Sequence, residues 1–174
     1  MGNEKTEILE MLEDGEAALG SALEGISEAD AGRRPGEGRW SVVECVEHMA
    51  ASEAALLGRL REALPAAESH ANPEREAKFA GLALNRERRI EAPDPVRPKG
   101  ECAGLGAALE RFRAVRAETL RFVEEFDGDL RSALAQHPLI TRPVNCYEML
   151  LLMALHPKRH AEQIAGIRAA LRTD

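Results

Sequence analysis

The chain has 174 residues, of which 44% are hydrophobic and 30% charged, and it carries a net charge of −7 at neutral pH. This length and composition suit a single globular domain over residues 1–174 rather than a disordered chain. The acidic balance argues against a nucleic-acid binder, and no apolar stretch is long enough to span a membrane.

The first helix is expected from about Asn3 to Ala29, where Ile8, Leu9, Met11, Leu12, Leu19, Leu23 and Ile26 recur at helical spacing. The run Arg33-Arg34-Pro35-Gly36-Glu37-Gly38 then breaks the chain. A second helix begins after Ser41, with Glu44 placed to complete a capping box and Trp40 placed to pack on Cys45 as a staple. Val42, Val46, Met49, Leu56, Leu57 and Leu60 supply its apolar face, and Pro65 marks its end. A shorter helix is expected within Pro73 to Arg89, packing through Phe79, Leu82 and Leu84. Arg86, Arg88 and Arg89 cluster there, but Glu87 and Glu91 interrupt them, which reads as a solvated surface rather than a phosphate site.

The segment Ala92-Pro93-Asp94-Pro95-Val96-Arg97-Pro98-Lys99-Gly100 must be extended or turned, since three prolines fix the backbone and remove donors. Long connections of this kind in compact domains are often functional. A third helix follows from Leu105 to Phe126 and is stopped by Asp127-Gly128-Asp129. A fourth is expected from the N-cap Asn145, with Glu148 at N3, to about Leu171. No strand alternation competes with these helices. The expected fold is an all-α four-helix bundle with a long proline-containing connection between helices 2 and 3.

His156 and His160 stand at i and i+4 in an apolar stripe with Met149, Leu152, Met153 and Ile164, so both imidazoles share one helix face. A buried imidazole requires a hydrogen-bond partner or a metal. Two readings stay open, a pair of satisfied core histidines and a pair of metal ligands. His48, on the second helix, is a third candidate ligand, although taken alone it reads first as a half-exposed helix histidine. Three histidines would leave one coordination position open, the pattern of a reactive metal site. Glu44 is either the capping partner of Ser41 or an acceptor that orients His48. Pro157 occupies the position where the His-Glu-x-x-His motif of zinc proteases has its base, so that mechanism is set aside. Pro157 also removes a helix hydrogen bond at the carbonyl of Met153.

His70 and His137 fall in expected loops and are read as solvent-facing, and Tyr147 as a packing residue. Arg159 reads either as a contact for an anionic substrate group or as a surface ion pair. Cys45, Cys102 and Cys146 are scattered and odd in number, so small buried hydrophobes in a reducing cytoplasm are expected.

Two segments carry a family resemblance. Trp40-Ser41-Val42-Val43-Glu44-Cys45-Val46-Glu47-His48-Met49 and His156-Pro157-Lys158-Arg159-His160-Ala161-Glu162-Gln163-Ile164 are similar, in this order, to segments of the DinB/YfiT-like superfamily. Met49 and Pro157 depart from the usual pattern. The resemblance implies a metal-binding four-helix bundle in which His48, His156 and His160 hold zinc or nickel. It also implies a homodimer acting on a small-molecule substrate. Relatives of this kind include transferases and isomerases that use low-molecular-weight thiols, so a thiol S-transferase or related detoxifying activity is the expected function. A metal-dependent hydrolase, or a non-catalytic metal-binding or regulatory module, are the alternatives.

Overall fold

Helix α1 spans Gly2–Leu23, α2 Glu28–Gly32, α3 Val42–Arg61, α4 Pro73–Leu84, α5 Leu105–Glu125 and α6 Cys146–Leu171. The structure, a computed structural model, describes residues 2–66, 68, 70–87 and 91–172; Arg88 and Arg89 of the arginine cluster lie outside these. The four long helices form the bundle: α1 lies along α6, α3 lies along α5, and α3 also meets α6. No helix among the described residues is long and apolar enough to cross a membrane.

The helix starts follow local chemistry. Ser41 and Glu44 form a complete capping box at α3, and Asn145 and Glu148 form a second at α6. Gly104, which begins α5, has no side chain to cap with. Glu28 of α2 supplies the acceptor instead, taking the Leu105 N–H at 2.7 Å and the Gly106 N–H at 2.9 Å.

Several boundaries differ from the sequence expectation. The first helix stops at Leu23 rather than Ala29, because Gly25 turns the chain in the left-handed region (φ +70°) and Ser27 caps the separate helix α2. Helix α3 ends at Arg61, short of Pro65. Leu64–Pro65 instead forms strand β1, which pairs antiparallel with β2 (Ala133–Ala135), itself paired with β3 (Val144–Asn145). These strands are two or three residues long, too short to show alternation in a sequence. Helix α4 ends at Leu84 and buries only Phe79, while Leu82 and Leu84 are exposed.

The apolar interior has two parts. One contains Ile8, Leu12, Leu57, Val123, Met149, Leu150 and Met153; the other contains Leu19, Val46, Met49, Phe112, Ile164 and Ile167. Along each long helix a polar or small residue falls between the two: Gly15 on α1, Glu53 on α3, Arg116 on α5 and His156 to His160 on α6. Arg116, 1% exposed, crosses this layer. Its Nε and Nη2 donate to the two carboxylate oxygens of Glu53 at 2.7 and 2.6 Å. Its Nη1 donates to the Leu12 carbonyl at 2.6 Å, and Nη2 also donates to the Met153 carbonyl at 3.2 Å.

Gly15 sets how closely α1 approaches α6. A Cβ placed there would lie 2.3 Å from the Ala154 carbonyl oxygen and 3.7 Å from Cγ of Pro157. Gly20, on the same helix, faces open space. Gly15→Ala is therefore expected to destabilise the protein by about 1–3 kcal/mol through overpacking. Gly20→Ala is expected to stabilise it by about 0.5–1 kcal/mol through helix propensity. Urea unfolding of the two variants checks this, and equal shifts of the same sign would refute the close approach.

Candidate metal centre

His48 comes from α3, and His156 and His160 come from consecutive turns of α6. The fold brings them together: each offers a ring nitrogen, and these atoms all lie within 4.8 Å of one another. The ring centroids are 5.1 Å apart for His48 and His156, 5.2 Å for His48 and His160, and 4.5 Å for His156 and His160. The Nε2 atoms of His156 and His160 are 2.9 Å apart. His48 and His160 are buried, and His156 is half-buried.

His48 is held from outside the bundle. Its Nδ1–H donates to the Val96 carbonyl at 2.8 Å, which puts the lone pair on Nε2, where the Ser52 hydroxyl at 3.5 Å is its neighbour. The Val96 carbonyl belongs to the proline connection, in a single 3-10 turn over Asp94–Val96. Glu47, buried next to His48, pins the same connection: its Oε1 accepts the Lys99 N–H at 2.7 Å and the Glu101 N–H at 3.3 Å. Trp40 lies against the His48 ring, centroids 4.9 Å apart, and the Ser52 hydroxyl is 3.4 Å from Nδ1. Glu44 does not orient His48; it caps α3 and pairs with Arg34.

The electrostatics favour neutral imidazoles, the form that binds metal. Burial lowers the pKa of His48, outweighing its bond to Val96. Burial lowers that of His156 well below the ordinary value, and the charges of His160, His48, Arg159 and Arg116 add to it. For His160 burial, with the charges of His48 and Arg159, brings the value down to about 3. The buried Nδ1 of His160 has no hydrogen-bond partner, with Gln163 beside the ring. Three neutral nitrogen donors within 4.8 Å of one another fit a divalent cation such as zinc or nickel.

The other candidates lie elsewhere. Tyr147 packs at the start of α6 with the Arg131 guanidinium 3.5 Å above its ring. Arg159 donates to the carbonyls of Ala83 and Asn85 at the end of α4 rather than standing as a plain surface group. His70 is exposed, as expected. His137 is not: it is half-buried, its Nδ1 accepts the Leu139 N–H at 3.1 Å, and burial lowers its pKa. Cys45 and Cys146 are buried, and burial pushes both thiols up to about 12; Cys102 is half-buried. Sequence reasoning missed Val96, Ser52 and the contact of Trp40 with His48. The only signal for Val96 was the length of the proline connection.

The profile of the DinB superfamily matches residues 11–164 of the chain. No curated protein matches it. Among solved structures, a conserved protein from Enterococcus faecalis superposes with a TM-score of 0.65 at 16% identity, covering 97% of both chains. YfiT from Bacillus subtilis, described as a probable metal-dependent hydrolase with an unusual four-helix bundle topology, superposes with a TM-score of 0.59 at 16% identity. That match covers 98% of this chain and 89% of YfiT. TT2238, a four-helix bundle protein, gives 0.54 at 23% identity over 93% of this chain and 98% of its own. At these identities the likeness is one of fold.

Because the three pKa values lie below the ordinary value of 6.5, the unfolded chain takes up protons first as the pH falls. The stability contributed by these neutral rings is complete above about pH 6.5 and is lost as the pH drops below it. The metal-free protein should therefore show a denaturation midpoint that falls between about pH 7.5 and pH 5. His160→Gln should make that dependence shallower. An identical pH slope in the variant would contradict the buried, neutral state of His160.

Proposed function

The chain belongs to the DinB superfamily, and from that premise we propose that His48, His156 and His160 hold one divalent metal ion, zinc or nickel. We propose further that the protein is a metal-dependent S-transferase, joining a low-molecular-weight thiol to a small electrophile. Under this reading it is a single-domain cytoplasmic protein, and the family resemblance implies a homodimer. The observation that carries the proposal is the convergence of three ring nitrogens from two helices within 4.8 Å of one another.

A divalent ion held by the neutral imidazoles of His48, His156 and His160 would supply an undiminished positive charge that lowers the pKa of a bound thiol or water. The surrounding residues suit that role. His48, fixed through Val96, keeps one ring orientation. Arg86 and Arg159 add positive potential beside His160, which favours an anionic sulfur over a neutral one. Of the nearby buried carboxylates, Glu53 is forked onto Arg116, whereas Glu47 spends only Oε1 on the proline connection and keeps a buried Oε2 without a hydrogen-bond partner. The soft sulfur atom is a good match for zinc or nickel.

Hydrolysis is the second reading. The all-imidazole donor set suits water as well as a thiol, and the structural neighbour YfiT is described as a probable metal-dependent hydrolase.

Elemental mass spectrometry of the untagged protein beside His160→Ala tests the site. Near-stoichiometric metal that is lost in the variant is expected. No metal, even after incubation with zinc or nickel, would leave the non-catalytic module as the better reading. On the loaded protein, calorimetric binding of a small thiol and thiol-dependent turnover of an electrophile are expected. Ester turnover without any thiol binding would favour hydrolysis instead.

A further inference from the structure

Pro157 stands between the two α6 histidines, directly after His156, and α6 continues through it. Proline has no N–H, so the Met153 carbonyl, four residues earlier, loses its helix donor. That residue is buried, and a buried carbonyl without a partner is costly. The donor comes from another helix: Nη2 of Arg116 reaches the Met153 oxygen at 3.2 Å. The same guanidinium is held in a fork by both oxygens of Glu53, on the helix that carries His48, and by the Leu12 carbonyl. On the α1 side, the missing Cβ of Gly15 admits the Ala154 carbonyl and the edge of the Pro157 ring. The proline step is thus gripped from two directions.

We propose that Arg116 is a positioning residue for the histidine cluster, replacing the backbone donor that Pro157 removes and so setting the aim of His156 relative to His160. The proposal rests on the reading of the cluster as a metal site, but its geometry can be tested without metal. A rigid, planar guanidinium serves where a lysine cannot, because it meets a carboxylate and two carbonyls on different helices at once. A role for Arg116 confined to the Glu53 fork and the Leu12 carbonyl would not depend on Pro157. A positioning role does, because restoring an N–H at residue 157 gives the Met153 carbonyl its own partner.

The test is a double-mutant cycle of Arg116→Lys and Pro157→Ala on the full chain, with cobalt(II) as the probe. Arg116→Lys keeps a positive charge beside Glu53. It is expected to weaken cobalt binding by about tenfold or more and to change the visible band of the bound ion. Pro157→Ala alone should leave both close to wild type, and adding it to Arg116→Lys should restore both. Equal losses in Arg116→Lys with and without Pro157→Ala, or no loss at all, would overturn the proposal.

If Arg116→Lys does not fold, Arg116→Met with Glu53→Leu removes both charges together and is tested with and without Pro157→Ala in the same way. The imidazole resonances of His156 and His160 in the metal-free proteins are recorded alongside. They should move in the arginine variant and return when Pro157→Ala is added. Absence of a cobalt band in the wild type would overturn the metal reading alone. The imidazole resonances would then decide the positioning role, and their failure to return would sink it.

Discussion

The Arg116 guanidinium is the contact on which the bundle's geometry depends. One side chain meets all four long helices: it stands on α5, forks onto Glu53 of α3, and donates to carbonyls of α1 and α6. Taking this charge out of water is expensive, and the return comes from geometry rather than from net stability. Losing one member of such a buried pair costs about 3–5 kcal/mol, because the other charge is left without a partner. A layer of leucines would permit small slips of one helix past another. A fork with fixed donor directions does not, since each slip breaks a charge-assisted bond. The two apolar cores on either side are therefore held in one relative register.

The histidine cluster belongs to the same polar layer. The charge of Arg116 is among the causes that hold His156 neutral, after burial and the two neighbouring histidines. The residue that aligns the helices thus also disfavours protonation of a candidate ligand. The third histidine is tied to a different device. Adjacent residues of α3, Glu47 and His48, both grip the proline connection, one through the amides of Lys99 and Glu101 and the other through the carbonyl of Val96. A long connection costs little extra closure entropy. Here it supplies the hydrogen bond that orients an imidazole.

Much of this was legible in the residues. Ser41 with Glu44 and Asn145 with Glu148 announced two helix starts, because capping depends on side chains within one turn. The spacing of His156 and His160 placed them on one face by helix geometry alone. Reading failed where the deciding contacts are distant or very short. Ile26 kept the helical rhythm past Leu23, but the conformation of Gly25 ended the helix. Leu82 and Leu84 continued an apolar pattern, yet both are exposed. His137 sits in a loop and is nonetheless half-buried.

The sequence by itself determined the four long helices, the caps of α3 and α6 and the placing of two histidines on one face of α6, since each depends on residues a few positions apart. Only the tertiary structure decided that His48 faces that pair, that Val96 orients it, and that Arg116 answers the carbonyl left bare by Pro157. Those relations join residues 37 to 112 positions apart, from Arg116 to Met153 and from His48 to His160. Nothing in a local pattern specifies them. They follow from the way buried polar groups must find partners once the helices have packed.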